Sequence, residues 1–274
     1  MLRFLLFLAL CTFSALAYPT NGRRADSHCQ PSRITFDTSS TVSHIEDPDP
    51  FSSPFVCLGS PESCKISEAG LELHLLPPAG PVTRQGNVNN VVSEGATVNS
   101  TFVLRYGKVT FEIQTATEPG SVTAMILVDA MNSGDQVQGD EIDLEFLSSH
   151  LTTWQTNMFS PKPEDSSPHY GMFNGKHHLP KGSSTAEVHS YSIARDEDKI
   201  VWSIDGINVR TLRREDCYVN GVELWPNHDL RLSMGLWDAS NPVGTSNWAG
   251  GPIRWEEAKG PIAAVVKSVA VECW

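Results

Sequence analysis

Apolar and polar residues alternate with a period of two along much of this chain. In residues 108–115 (KVTFEIQT), Val109, Phe111 and Ile113 fall on one side, and Thr110, Glu112 and Gln114 on the other. That spacing predicts a half-buried strand. Further strands are predicted for Ser121–Asp129, around the run AMILV, for residues 231–237 and for residues 262–271. Lys199–Ile204 and residues 207–212 flank Asp205-Gly206, the dipeptide that favours a two-residue hairpin turn. No amphipathic pattern long enough for a four-turn helix occurs, and no internal repeat is visible. An all-β sandwich or barrel follows, and at 274 residues a two-sheet jelly roll fits best.

One strand breaks the economy of this pattern. Residues 139–147 read GDEIDLEFL. Extended geometry puts Glu141, Asp143 and Glu145 on one face and Ile142, Leu144 and Phe146 on the other. The apolar set can enter a core, whereas three carboxylates in a row repel one another and contribute nothing to folding. Glycoside cleavage offers a use for them, because it needs one ionised and one protonated carboxyl group across the scissile bond. Repulsion in a partly desolvated groove raises at least one pKa and keeps that group protonated. Four residues of strand span roughly 13 Å at Cα. Retaining chemistry needs the carboxyl groups about 5–5.5 Å apart, so the two glutamates must lean together. The alternation alone also admits a solvated strand face or a calcium site, although calcium ligands usually lie on loops.

Composition narrows the setting. Hydrophobic residues make up 40% and charged residues 19%, which excludes a disordered chain. The net charge of −12, without a basic run, excludes nucleic acid and anionic membranes as expected partners. Residues 1–17 (MLRFLLFLALCTFSALA) predict a secretory signal peptide, followed by a polar segment over 18–30 and a single domain over 31–274. The mature protein is therefore expected outside the cell, without a membrane anchor. Export implies an oxidising compartment. Five cysteines remain beyond the signal, and Cys57 and Cys64 enclose a short loop suited to bridging. The partners among Cys29, Cys217 and Cys273 are open, with one thiol left over. Asn99-Ser100-Thr101 is a glycosylation sequon, which predicts a surface loop at Asn99.

With those residues in hand, DEIDLEF resembles the signature of glycoside hydrolase family 16. Tyr106-Gly107-Lys108-Val109 before it, Gln155-Thr156-Asn157 with Phe159 after it, His189-Ser190-Tyr191 and Val201-Trp202-Ser203-Ile204-Asp205-Gly206 match the family's order. Met234-Gly235-Leu236-Trp237 and Trp248-Ala249-Gly250-Gly251 resemble the fungal Crh-type cell-wall transglycosylases, over roughly residues 50–274. The resemblance implies a concanavalin-like β-jelly-roll sandwich with an open substrate cleft. It also implies Glu141 as nucleophile, Glu145 as general acid/base, Asp143 as the assisting carboxylate, and transfer of chitin to β-glucan or chitin through a covalent glycosyl-enzyme. Two stretches depart from the group's pattern. PKPEDSS (161–167) replaces a Gly-rich segment, and the stretch 132–138 is longer than usual.

Candidate binding residues complete the reading. Trp248, in what reads as a Gly-rich loop, and Trp237 are candidate sugar platforms, with Tyr170 a third. Trp202 falls on the core side of its hairpin. Gln155 and Asn157 share a face of the next strand, and their amides reach the groove if that strand neighbours the carboxylates. His177-His178 reads as a loop pair without a third ligand, so no metal is expected, and no cofactor either. A β-1,3(4)-glucan hydrolase on the same scaffold and a non-catalytic lectin are the competing functions. A monomer is expected.

Overall fold

Alternation becomes a two-layer sandwich in which each sheet turns its apolar face inward. The computed structural model describes residues 29–130, 139–162, 165 and 169–274. The expected signal peptide, most of the 18–30 segment, the 132–138 stretch and part of the 161–167 loop lie outside the described residues. Among the described residues, both sheets have eight strands. The front sheet runs Gly175–His178, Thr153–Phe159, Glu141–Leu147, Ser121–Asp129, Leu230–Asp238, Ala96–Leu104, Phe55–Cys57 and Ser43–His44. The back sheet runs Ile207–Arg213, Lys199–Ile204, His189–Arg195, Gly107–Gln114, Ile262–Cys273, Gly70–Leu75 and Cys64–Ser67, with Ser32–Thr35 also paired to Ile262–Cys273. These pairings are antiparallel apart from Ser43–His44 with Phe55–Cys57.

The predicted faces meet in one core. Ile142, Leu144 and Phe146 of the front sheet pack with Val109, Phe111 and Ile113 of the back sheet, and Trp202 is fully buried among them. Ser121–Asp129 and Leu230–Asp238, at the centre of the front sheet, are buried along almost their whole length, which explains the unbroken apolar run AMILV. Asp205 and Gly206 both have positive φ, 48° and 78°. A primed hairpin turn requires this, and Gly accepts it without steric cost. The register shifts between Trp202 and Ser203, so that Trp202 opposes Arg210 while Ser203 opposes Asn208.

Cys57–Cys64 is bridged, and the pairing that the sequence left open is Cys29–Cys273. That bridge ties the segment before Ser32–Thr35 to the end of the strand beside which Ser32–Thr35 lies. Cys217 is the free thiol among the described residues; burial pushes its pKa up to about 11, with the Asp216 charge adding to the effect.

Three local expectations need correction. Asn99 lies within the strand Ala96–Leu104, opposite Ser233 and Val56 and only 8% exposed, not on a surface loop. A sequon records residue types and carries no information on strand pairing. Trp248 sits on the short helix Val243–Ala249, the one α-helix among the described residues, and Gly250 closes that helix in the left-handed conformation. His177 and His178 belong to the edge strand Gly175–His178, with His177 packed against Trp154 and His178 exposed. Among the described residues, no helix is long and apolar enough to cross a membrane.

Candidate active site

Strand pairing decides what surrounds the three carboxylates. Glu141, Asp143 and Glu145 lie opposite Val128, Ile126 and Ala124 on one side, and opposite Phe159, Asn157 and Gln155 on the other. Their strand thus runs between an apolar strip and a strip carrying two amides. Gln155 and Asn157 are therefore direct neighbours of Glu145 and Asp143, as the condition stated for them requires. The Gln155 carbonyl oxygen accepts the Trp248 indole N–H at 3.3 Å, and the Asn157 carbonyl oxygen accepts the Met158 backbone N–H at 2.9 Å. Both side-chain oxygens are thus engaged within the protein.

Burial sets the electrostatics. Asp143 is 1% exposed and the two glutamates are half-buried. Burial pushes the Glu145 carboxyl up to about 8, and the Glu141 charge adds to it. Asp143 is raised well above the carboxylate range by burial first, then by the charges of both glutamates and by its hydrogen bond to Glu141. Burial also raises Glu141, but the same hydrogen bond opposes the rise. Glu141 is the one of the three with an opposing influence, so ionisation is least disfavoured there. Asp143 then donates to Glu141. The second carboxyl oxygen of Asp143, Oδ1, is buried without a partner. One ionised and one protonated carboxyl on a single groove face is the combination that glycosidic cleavage requires.

Aromatic rings stand at both ends of this row. Phe159, opposite Glu141, meets Tyr170 edge to face at 5.9 Å. The Tyr170 hydroxyl pKa is raised by burial and by the Glu141 charge, which places the ring beside that carboxylate. Beyond Glu145, Trp237 and Trp248 stack at 6.0 Å with 23° between their planes, over Val122, Leu147, Ala239 and Ala249. The two tryptophans form one stacked pair, where the sequence suggested two separate platforms.

Two supports were not visible in the sequence. The Trp202 indole N–H donates to the Asp143 backbone oxygen at 3.1 Å, from the core side. The Asp140 carboxylate is buried and accepts the backbone N–H groups of Asn227 and His228, at 2.6 and 2.9 Å, and His228 Nδ1 at 2.7 Å. It thereby ties the start of the carboxylate strand to a segment far along the chain. The alternation placed Trp202 in the core but could not show what its N–H would meet. No pattern links Asp140 to residues so distant in sequence. Among the described residues, no group of three metal-ligating side chains assembles.

Comparison with known proteins adds to this geometry. The family model for glycosyl hydrolases family 16 matches residues 51–260. "Probable glycosidase CRR1" of Saccharomyces cerevisiae is 32% identical over 231 residues, covering 78% of this chain and 51% of that protein. The chain spans about half the length of the curated relatives it matches. Among solved structures, an apo Crh5 transglycosylase superposes with a TM-score of 0.64 at 25% identity, covering 94% of this chain and 88% of the other. The same enzyme in complex with NAG gives a TM-score of 0.60 at 26% identity, covering 89% and 88%.

Proposed function

Because the chain belongs to glycosyl hydrolase family 16, we propose that this glycoside-modifying enzyme is a secreted, retaining transglycosylase of cell-wall polysaccharide, with chitin as donor and β-glucan or chitin as acceptor. The ionised Glu141 carboxylate attacks the anomeric carbon while Glu145 gives its proton to the departing glycosidic oxygen. One C–O bond breaks, and an ester to Glu141 forms. Glu145, now ionised, takes the proton of an acceptor hydroxyl as that oxygen displaces Glu141, and the configuration at the anomeric carbon is retained. Asp143 holds its proton toward Glu141 and favours the ionised nucleophile. Gln155 and Asn157 offer donors to sugar hydroxyls, and the aromatic rings at either end of the row offer faces to sugar rings.

The observation that supports this reading is the row of Glu141, Asp143 and Glu145 on one strand face beside Gln155 and Asn157, where burial pushes Glu145 up to about 8 and a hydrogen bond from Asp143 opposes the rise at Glu141. The likeness to a Crh5 transglycosylase, seen elsewhere with NAG, supports transfer over simple hydrolysis and supports the choice of donor. Incubation with chitin oligosaccharides and a fluorescent β-glucan acceptor tests it. Labelled products longer than the acceptor are expected. Shortened sugars alone would make the protein a hydrolase, and binding without turnover would make it a lectin.

A further inference from the structure

A second groove lies on the opposite side of the sandwich from the carboxylates. The outward face of the back sheet carries a cavity of about 310 Å³, at the lower end of the roughly 300–1,000 Å³ range of small-ligand pockets. Its floor is built by register: Ser192 opposes Ser203 and Ala194 opposes Val201 on neighbouring strands. Small side chains at four adjoining outward positions keep the sheet surface low there. Longer side chains rise around them, with Lys108 opposite Ala194 on one flank, Lys199 two residues before Val201, and Asn208 across the hairpin from Ser203. Trp274 completes the rim and is 60% exposed.

The chemistry of the lining selects a ligand class. Each lysine faces an anion, Lys108 with Glu272 at 3.2 Å and Lys199 with Asp196 at 3.9 Å. The groove therefore has no net charge to recruit a phosphate, a nucleic acid or an acidic peptide. Ser203 donates to the Asn208 carbonyl oxygen at 2.8 Å, which leaves the Asn208 NH₂ to donate outward. Neutral donors and acceptors over a shallow floor, beside an exposed indole, suit a molecule with equatorial hydroxyls and apolar ring faces.

We propose that this back-sheet groove is a second glycan-binding site, holding a short neutral segment of the polymer that the front cleft modifies. The identity of that polymer rests on the function proposed above. A site on the far face does not deliver sugar to Glu141. It keeps the enzyme on an insoluble particle, so that each new encounter of the cleft with a chain is local.

The test uses pull-down on insoluble chitin and on insoluble β-1,3-glucan particles, with Glu141→Gln as the background to silence turnover. Trp274→Ala and, separately, Val201→Arg, which fills the floor, should each weaken retention roughly three- to tenfold. Weakening on one particle type alone identifies the polymer held. In the otherwise wild-type enzyme, the same changes should lower turnover of particles while sparing soluble oligosaccharides. Unchanged retention in both variants, or an equal fall on soluble oligosaccharides, overturns the proposal. Failure of the wild type to act on any oligosaccharide would refute the cleft reading alone, since retention is measured without turnover.

Discussion

Replacing Glu145 by Gln should lower activity sharply and yet make the folded protein more stable at neutral and alkaline pH. The folded carboxyl has its pKa raised from 4.5 to about 8 by burial and by the charge of Glu141. As pH rises above 4.5, the unfolded chain gives up this proton and the folded chain keeps it, so stability falls until the folded group also ionises near 8. The slope is about 1.4 kcal/mol per pH unit, which sets a ceiling on the order of 5 kcal/mol across that window. Solvent reaches the half-buried carboxyl and its titration is shared with Glu141, so an effect of about 1–3 kcal/mol is expected. Gln keeps the shape and never ionises. Urea denaturation of both proteins near pH 4 and near pH 8 measures the difference. The variant should match the wild type at the lower pH and exceed it at the higher. Equal stability at both pH values, or a less stable variant near pH 8, would refute the assignment of a desolvated, protonated Glu145.

In the proposed mechanism the same proton controls turnover, so kcat/KM of the wild type should fall as pH rises through about 8. Glu145→Gln should lower the rate by roughly 10²–10⁴ and abolish that descending limb, both read from a pH–rate profile. Trp202→Phe deletes the N–H bond to the Asp143 carbonyl and leaves space behind the carboxylate strand. A cost of about 1–3 kcal/mol in urea denaturation, together with reduced kcat, is expected. Among the disulfides, Cys29–Cys273 closes a loop of 244 residues and Cys57–Cys64 one of 7. By chain entropy their removal should cost about 5 and about 2 kcal/mol respectively, which paired Cys→Ser variants compared by thermal unfolding would establish.

Much of both sheets was legible in advance because alternation is a local property. Glu141, Asp143 and Glu145 share a face because a strand allows nothing else, and Ile142, Leu144 and Phe146 reach the core for the same reason. Ser121–Asp129, Lys199–Ile204 and the Asp205-Gly206 turn were equally explicit. Ser43–His44, Phe55–Cys57 and Cys64–Ser67 were not, since two to four residues carry too little periodicity to register. Ala96–Leu104 (ATVNSTFVL) breaks its own alternation with Asn99 and Ser100, and its sequon suggested a loop where a paired strand stands.

By itself, then, the sequence determined which side chains could act together, because spacing along an extended backbone assigns faces without reference to any neighbour. Tertiary structure decided what those side chains experience. The apolar strip of Ala124, Ile126 and Val128 beside the carboxylates comes from one neighbouring strand, and the amides of Gln155 and Asn157 come from another. The indole behind Asp143 crosses over from the opposite sheet. The back-sheet groove likewise exists only through the register of Ser192 with Ser203 and Ala194 with Val201. Acidity and shape depend on what lies a few ångströms away in space, and strand pairing brings those groups from distant parts of the chain.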